Sequence, residues 1–320
     1  MSITPYVVHK DEAEQLLARV DVHQAMVELF HELASGNAVQ PAQQLVEFPQ
    51  GAGDFINYLG VLAGAGVYGV KTSPYLVREQ GPLVTAWTLL MSMQTGQPLL
   101  LCDAGLLTTA RTAATTAVAV DALAPTQAKH LTVIGCGPVA RAHVHYARGL
   151  RDWQSIRLYS SSLADKSEAQ LDELRQLDPR LQLCDSVADA TEGADVLLLC
   201  TSSAKPVLDP ASLNKPALIT SISTNALRAH EVPPASLSAM DVYCDYRATT
   251  PDSAGEMLLA GELGWSSAAI QGDLAELLSG KARRPDYTRH AFFRSIGLGL
   301  EDVALANALY QLKHSDQGAH

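Results

Sequence analysis

Residues 131–140 read Leu-Thr-Val-Ile-Gly-Cys-Gly-Pro-Val-Ala, an apolar run that enters Gly135-x-Gly137-x-x-Ala140 and continues into an amphipathic segment. This order commits the chain to a strand, a tight turn and a helix, the opening of a parallel βαβ unit. Each residue has a physical task. Gly135 permits the turn, Gly137 lets the backbone approach a pyrophosphate, and small Ala140 lets the helix pack against the sheet. The helix N-terminus offers free N–H groups and a positive dipole end, and Pro138 suits the first turn, where its missing donor is not needed. Helical spacing puts Val139, Ala142, Tyr146, Ala147 and Leu150 on the expected inward stripe. The passage predicts a dinucleotide site made by Gly135, Cys136, Gly137, Pro138, Val139 and Ala140, with a nicotinamide or flavin cofactor.

The next strand, Ser155–Tyr159, runs into Ser160-Ser161-Ser162, where a site specific for NAD carries an acid for the ribose hydroxyls. No carboxylate stands there to repel a 2′-phosphate, and Ser160, Ser161 and Ser162 with Lys166 or Arg157 can receive one. The same serines also suit a turn and the cap of a helix predicted over Ala164–Leu177. The missing acid favours NADPH, with NADH as a poorer substitute. Thr201, directly after the strand-like run Val196–Cys200, is a further candidate on the cofactor side.

At 320 residues the chain has room for two domains. A net charge of −11 without a Lys/Arg run argues against a nucleic-acid partner. Five scattered cysteines read as reduced thiols of a cytoplasmic protein. No leader pattern and no apolar stretch of membrane-spanning length is evident. No metal site is expected, since His143 and His145 stand two apart on the cofactor helix and face different directions. His230, in an acidic loop, reads as a solvated or packed histidine, with a substrate-side role as the alternative.

Further strand-like runs at Leu181–Cys184, Ala217–Ile222 and Val242–Tyr246 alternate with helical or turn segments such as Ser186–Gly193. This predicts a doubly wound parallel sheet from about Ala119 to about Ser295. The preceding part is organised differently. Asp21 is placed to cap a helix bearing Val22, Ala25, Met26, Leu29, Phe30 and Leu33 on one face, ended by Gly36-Asn37. Apolar runs at Leu45–Phe48, Gly66–Lys71, Val84–Met93 and Leu99–Asp103 then predict an antiparallel or mixed sheet, and the tail after Lys313 reads as disordered. Lys71 ends one of these strands, and Arg111 lies near the start of a helix of small residues. A guanidinium beside a helix N-terminus suits a carboxylate ligand; the alternative is a solvated Lys71 and an Arg111 paired with a surface acid.

Four stretches carry a resemblance: Tyr68-Gly-Val-Lys71-Thr, Leu106-Leu-Thr-Thr-Ala-Arg111-Thr-Ala-Ala, the Gly135 turn, and Phe293-Arg-Ser-Ile-Gly297-Leu-Gly-Leu-Glu-Asp302. In order and spacing they resemble the ornithine cyclodeaminase and mu-crystallin family over essentially the whole chain. The resemblance implies an α/β protein with a Rossmann dinucleotide-binding domain over 119–298. It also implies an α+β substrate-binding and dimerisation domain over 1–118, joined by a C-terminal helix from about Gly299, residues 299–320. A homodimer is implied, as are a substrate carboxylate held by Lys71 and Arg111 and hydride transfer at the amino or imino carbon beside that carboxylate.

Two departures from the family shape the expected reaction. Many members have a second carboxylate-binding Arg where this chain reads Gln40-Pro41-Ala42-Gln43, and Gln43 can still donate a hydrogen bond. Asn225 stands where the cyclodeaminases have an Asp, and an amide cannot take the proton that amino-acid oxidation or ring closure requires. Reduction of a preformed cyclic imine has less need of that base. The expectation is therefore NADPH-dependent reduction of Δ1-pyrroline-2-carboxylate or Δ1-piperideine-2-carboxylate to proline or pipecolate, as in the ketimine reductases of the family. Lys71 and Asn225 are the catalytic candidates, and Lys71, Arg111 and Gln43 the substrate-binding ones. The alternatives are an ornithine cyclodeaminase or alanine dehydrogenase, and a non-catalytic NADPH-dependent ligand-binding protein.

Overall fold

The computed structural model describes residues 4–223 and 228–318. Its chain divides into two compact units, one formed by residues up to Arg111 with those from Gly297 onward, the other by Thr112–Ile296. The divisions fall at 111/112 and 296/297 rather than at 118/119 and 298/299. The first lies inside a continuous helix, where local sequence carries no break.

The first unit contains β1 (Tyr6–Val8), α1 (Lys10–Leu17), α2 (Val22–Ala34), β2 (Ala38–Val39), β3 (Gln44–Glu47), β4 (Gly53–Leu62), β5 (Val67–Leu76), β6 (Leu83–Val84), β7 (Trp87–Ser92) and β8 (Pro98–Asp103). It also holds the start of α3 (Gly105–Leu123) and the C-terminal helix, Gly299–Gly318. The sheet is mixed, in the order β1-β8-β7-β5-β4-β2 with β3 on β4 and β6 on β5, and β1 lies parallel to β8. Asp21 caps α2 as expected, its carboxylate accepting from Gln24 N at 3.0 Å.

Strand β4 went unread in the sequence because Gly53, Asn57 and Gly60 depress strand propensity. Tertiary contact explains the glycine. A Cβ on Gly60 would lie 2.8 Å from Leu300 N, and one on Gly299 would lie 2.1 Å from Leu59 O. The C-terminal helix thus lands backbone against backbone on β4. Gln40 Oε1 accepts from Leu300 N at 3.0 Å and so satisfies one of the donors that a helix start leaves open. The helix continues through Lys313 to Gly318 instead of ending there, with Lys313 paired to Glu12 and Asp316 to Arg19.

The second unit contains β9 (His130–Ile134), α4 (Pro138–Ala147), β10 (Ser155–Tyr159), α5 (Glu168–Arg175), β11 (Leu181–Leu183), α6 (Val187–Thr191), β12 (Val196–Leu199), β13 (Leu218–Ser221), β14 (Asp241–Cys244), α7 (Gly255–Glu262), β15 (Ile270–Asp273), α8 (Leu274–Leu278) and β16 (Ala291–Arg294). Its sheet is parallel throughout, in the order β11-β10-β9-β12-β13-β16-β14-β15. The winding reverses between β9 and β12, the switch point at which doubly wound folds bind ligands beyond the strands' carboxyl ends. Strands β12, β13 and β16 are buried along their whole length, as a sheet covered on both faces requires.

Two local readings change. The helix expected from Ala164 begins at Glu168, because Ser167 and Gln170 form a capping box after a short 3₁₀ turn. The inward face of α4 is Ala140, His143, Val144 and Ala147, not the stripe through Val139, Ala142, Tyr146 and Leu150. The close packing of Ala140 at the turn sets this phase. His143 fits inside as a neutral ring: burial lowers its pKa to about 4, Nδ1 donates to Val139 O at 2.8 Å, and Nε2 lies 3.0 Å from Thr116 Oγ1. Among the described residues no helix is long and apolar enough to cross a membrane.

Candidate active site

The two glycines of the turn do different work. Gly135 has φ +125°, and a Cβ there would lie 2.4 Å from Cys200 O, so the backbone leaving the paired strand β12 leaves no room for a side chain. Gly137 has ordinary extended geometry and a Cβ on it would meet nothing within 4 Å. Its space is open. It is the N-cap of α4 and makes no side-chain cap bond, so the helix start keeps its N–H groups for an anion. Gly135, Cys136, Gly137, Pro138, Val139 and Ala140 therefore fit a dinucleotide pyrophosphate.

Beside the turn, Cys136 Sγ lies 3.3 Å from Ser162 Oγ, which lies 3.1 Å from Ser160 Oγ. Ser161 is exposed. Arg157 Nη1 donates to Glu192 O at 2.6 Å and Asp189 O at 3.3 Å, capping the end of α6. Thr201 is also committed elsewhere: its N–H and its hydroxyl both donate to Glu231 Oε1, at 2.8 and 2.7 Å. Asn225 lies outside the described residues. His230 is half-buried and its Nδ1 donates to Arg228 O at 2.8 Å, a local packing contact.

In the first unit, antiparallel register sets Lys71 on β5 opposite Tyr58 on β4. The ammonium stands 4.2 Å over the Tyr58 ring and donates to Thr108 Oγ1 at 3.3 Å. Its charge partner is Asp302, with Nζ 2.9 Å from Oδ2. Arg111 donates from Nε to Asp302 Oδ1 at 3.2 Å and from Nη1 to Glu301 Oε2 at 2.8 Å. All four charged groups are at most 4% exposed.

This is a buried cluster of two cations balanced by two carboxylates. It is not a surface pairing. Arg111 is the seventh residue of α3, beyond the first turn where the dipole acts. The guanidinium is held instead by acids in the first turn of the C-terminal helix, where the dipole favours negative charge. Gly297 has φ +77°, and a Cβ there would meet Arg111 Nη1 at 2.2 Å, so this glycine makes room for the guanidinium. Gln43, half-buried, has a buried Oε1 with no hydrogen-bond partner among the described residues, and no bond joins it to the cluster.

Burial lowers the Lys71 pKa to about 8, the neighbouring Arg111 charge adding to the effect and Asp302 opposing it. Arg111 moves the other way: burial works against its charge, but Asp302 and Glu301 outweigh it and hold the guanidinium ionised. Burial also pushes the Tyr58 hydroxyl above its ordinary range. Burial thus brings the Lys71 ammonium closer to neutral pH than an ordinary lysine. Glu301, Asp302, Tyr58 and Glu231 were missed as functional candidates. The signal for the first two was present, a pair of consecutive acids opening a helix after Gly297-Leu-Gly.

The sequence profile of the ornithine cyclodeaminase/mu-crystallin family matches residues 5–317. The chain belongs to that family. Among its relatives is the NAD(P)H-dependent anabolic L-arginine dehydrogenase of Pseudomonas aeruginosa, 70% identical over 313 residues that cover 98% of each chain. Thermococcus litoralis Δ1-pyrroline-2-carboxylate reductase, solved with NADH and L-proline, superposes with a TM-score of 0.87 at 24% identity over 97% of this chain and 98% of its own. An archaeal alanine dehydrogenase dimer with bound NAD gives 0.88 at 24% identity, over 98% and 97%. At that identity these two solved structures establish the α/β fold alone.

Proposed function

We propose that this chain is an NAD(P)H-dependent oxidoreductase that forms L-arginine by reducing the C2=N bond of the imine made from 5-guanidino-2-oxopentanoate and ammonia. The end-to-end 70% identity with an L-arginine dehydrogenase carries this reading. The expectation of a cyclic ketimine shares the reacting bond and differs in the nitrogen, which a ring tethers and which here comes from ammonia. Likeness to a pyrroline-2-carboxylate reductase at 24% identity gives the cyclic substrate less weight.

Ammonia and the oxo acid condense with loss of water, and the imine takes a hydride at C2 and a proton at nitrogen. A reduced dinucleotide, held by its pyrophosphate at the Gly135 turn, would supply the hydride. Lys71, with its pKa near 8, can hold and release a proton at working pH. Arg111 has five N–H donors, of which Nε and Nη1 are used by Asp302 and Glu301; orientation of the substrate carboxylate by Arg111 and Lys71 is part of the proposal. So are the preference for NADPH, drawn from Ser160–Ser162, and a homodimer formed through the first unit.

The test is oxidation of NADPH by purified protein given ammonium with 5-guanidino-2-oxopentanoate, beside Δ1-pyrroline-2-carboxylate and Δ1-piperideine-2-carboxylate. The guanidino acid should give kcat/KM at least tenfold above either cyclic imine. A tenfold preference for a cyclic imine would restore the earlier reading, and binding of NADPH without turnover on any of them would support the ligand-binding alternative.

A further inference from the structure

Glu231 is completely buried and uses both carboxylate oxygens. Oε1 accepts from Thr201 N at 2.8 Å and Thr201 Oγ1 at 2.7 Å, and Oε2 accepts from Ser221 Oγ at 2.8 Å and Ser223 N at 2.9 Å. Thr201 leaves β12 and Ser221 ends β13, so one carboxylate joins the carboxyl ends of two neighbouring strands. The residue's carbonyl extends the tie, accepting from Val207 N at 2.8 Å and Leu208 N at 3.3 Å. Thr201 Oγ1 in turn accepts from Ser203 N at 3.2 Å. In sequence, Ser223 and Glu231 stand on either side of Asn225.

We infer that Glu231 is a positioning residue: it fixes the chain leaving β12 and β13 at the ligand-binding edge of the parallel sheet, and with it the nicotinamide end of the dinucleotide. The role as a positioner of the reaction rests on the proposed function; the effect on binding does not. Two of the four donors are backbone N–H groups, which can only donate. A carboxylate alone satisfies all four, whereas an amide or a protonated acid has fewer acceptor sites and turns a hydrogen toward one donor. Burial works against the charge and raises the pKa, while the bonds from Thr201, Ser221 and Ser223 act to retain it. The glycine turn, by contrast, does not depend on Glu231, because Gly135 is held by Tyr159 O at 2.8 Å and by its contact with Cys200.

The discriminating experiment measures affinity in wild type and Glu231→Gln for two ligands. One is the better-bound of NADH and NADPH, and the other is its analogue lacking nicotinamide, ADP-ribose or the 2′-phosphate of it. The variant should bind the analogue within twofold of wild type, bind the whole dinucleotide at least tenfold more weakly, and lose at least thirtyfold in kcat with less than a threefold change in the KM of the oxo acid. Glu231→Asp, which keeps the charge and both acceptors, should recover part of each loss. An unchanged ratio of the two affinities in a folded variant would overturn the inference. Should Glu231→Gln fail to fold, Thr201→Val deletes one of the four bonds and carries the same test, with a threefold change in the ratio expected and an unchanged ratio refuting. If wild type turns over no oxo acid or imine, the proposed function falls, and the affinity ratio still decides the role of Glu231.

Discussion

Replacing Asp302 by Asn strikes the charge balance of the buried cluster. Asp302 is shared by Lys71, 2.9 Å from Oδ2, and Arg111, 3.2 Å from Oδ1, so its loss leaves two buried cations facing Glu301 alone. Removing one partner of a buried pair typically costs about 3–5 kcal/mol. The protein has one means of relief. Lys71 has a pKa of about 8, so giving up its proton at pH 7 costs only between about 1 and 2 kcal/mol. Neutral Lys71 would leave Arg111 and Glu301 as a balanced pair, and loss of the charge-assisted Asp302–Arg111 bond adds about 1.5–3 kcal/mol. The expected destabilisation therefore lies near the lower end of the range, at about 3–4 kcal/mol, with a proton released.

Denaturant unfolding of wild type, Asp302→Asn, Lys71→Met and the double variant measures this. The folded Lys71 pKa lies below its unfolded value, so the unfolded chain binds more protons between the two, and stability rises with pH across that window. In wild type the window opens near pH 8; in Asp302→Asn it should open lower. Lys71→Met removes the stranded cation and should make the double variant more stable than Asp302→Asn alone. A loss under about 1 kcal/mol, or a double variant whose losses simply add, would refute the charge-balance argument.

Reduction should decline as pH rises through about 8, where Lys71 loses its proton, and Lys71→Ala should remove that limb together with most of kcat; an unshifted limb in the variant would assign it to another group. Gly135→Ala and Gly137→Ala should separate stability from binding. The first places a Cβ 2.4 Å from Cys200 O at φ +125° and should lower the melting temperature by several degrees, whereas the second meets no protein atom and should leave stability unchanged while weakening dinucleotide binding at least tenfold. Calorimetry and titration on both variants would expose a reversed pattern. Ser161→Asp should shift cofactor preference toward NADH by repelling a 2′-phosphate, and a wild-type preference for NADH of tenfold or more would contradict the reading of the serine run.

Elements whose cause lies within about ten residues were legible in the sequence. Asp21 caps α2, Ser155–Tyr159 forms a strand to the residue, and the Gly135 turn joins β9 to α4, because caps, periodicity and positive φ act locally. The phase of α4 was not legible, since packing rather than composition chose His143 over Tyr146 for the interior. Strand β4 was hidden in part by Gly60, whose reason is a helix more than 230 residues later. The candidate site divides in the same way. Lys71 and Arg111 stood out as charges in apolar settings, but their partners Glu301 and Asp302 lie 190 or more residues away, and nothing in the local pattern says which charges will meet. Glu231 shows the same limit at shorter range, for a lone acid near a turn reads as solvated until the sheet brings the ends of β12 and β13 around it. Local chemistry determined the elements and the types of charge; tertiary packing decided their partners, because only burial makes an unpaired charge too costly to keep.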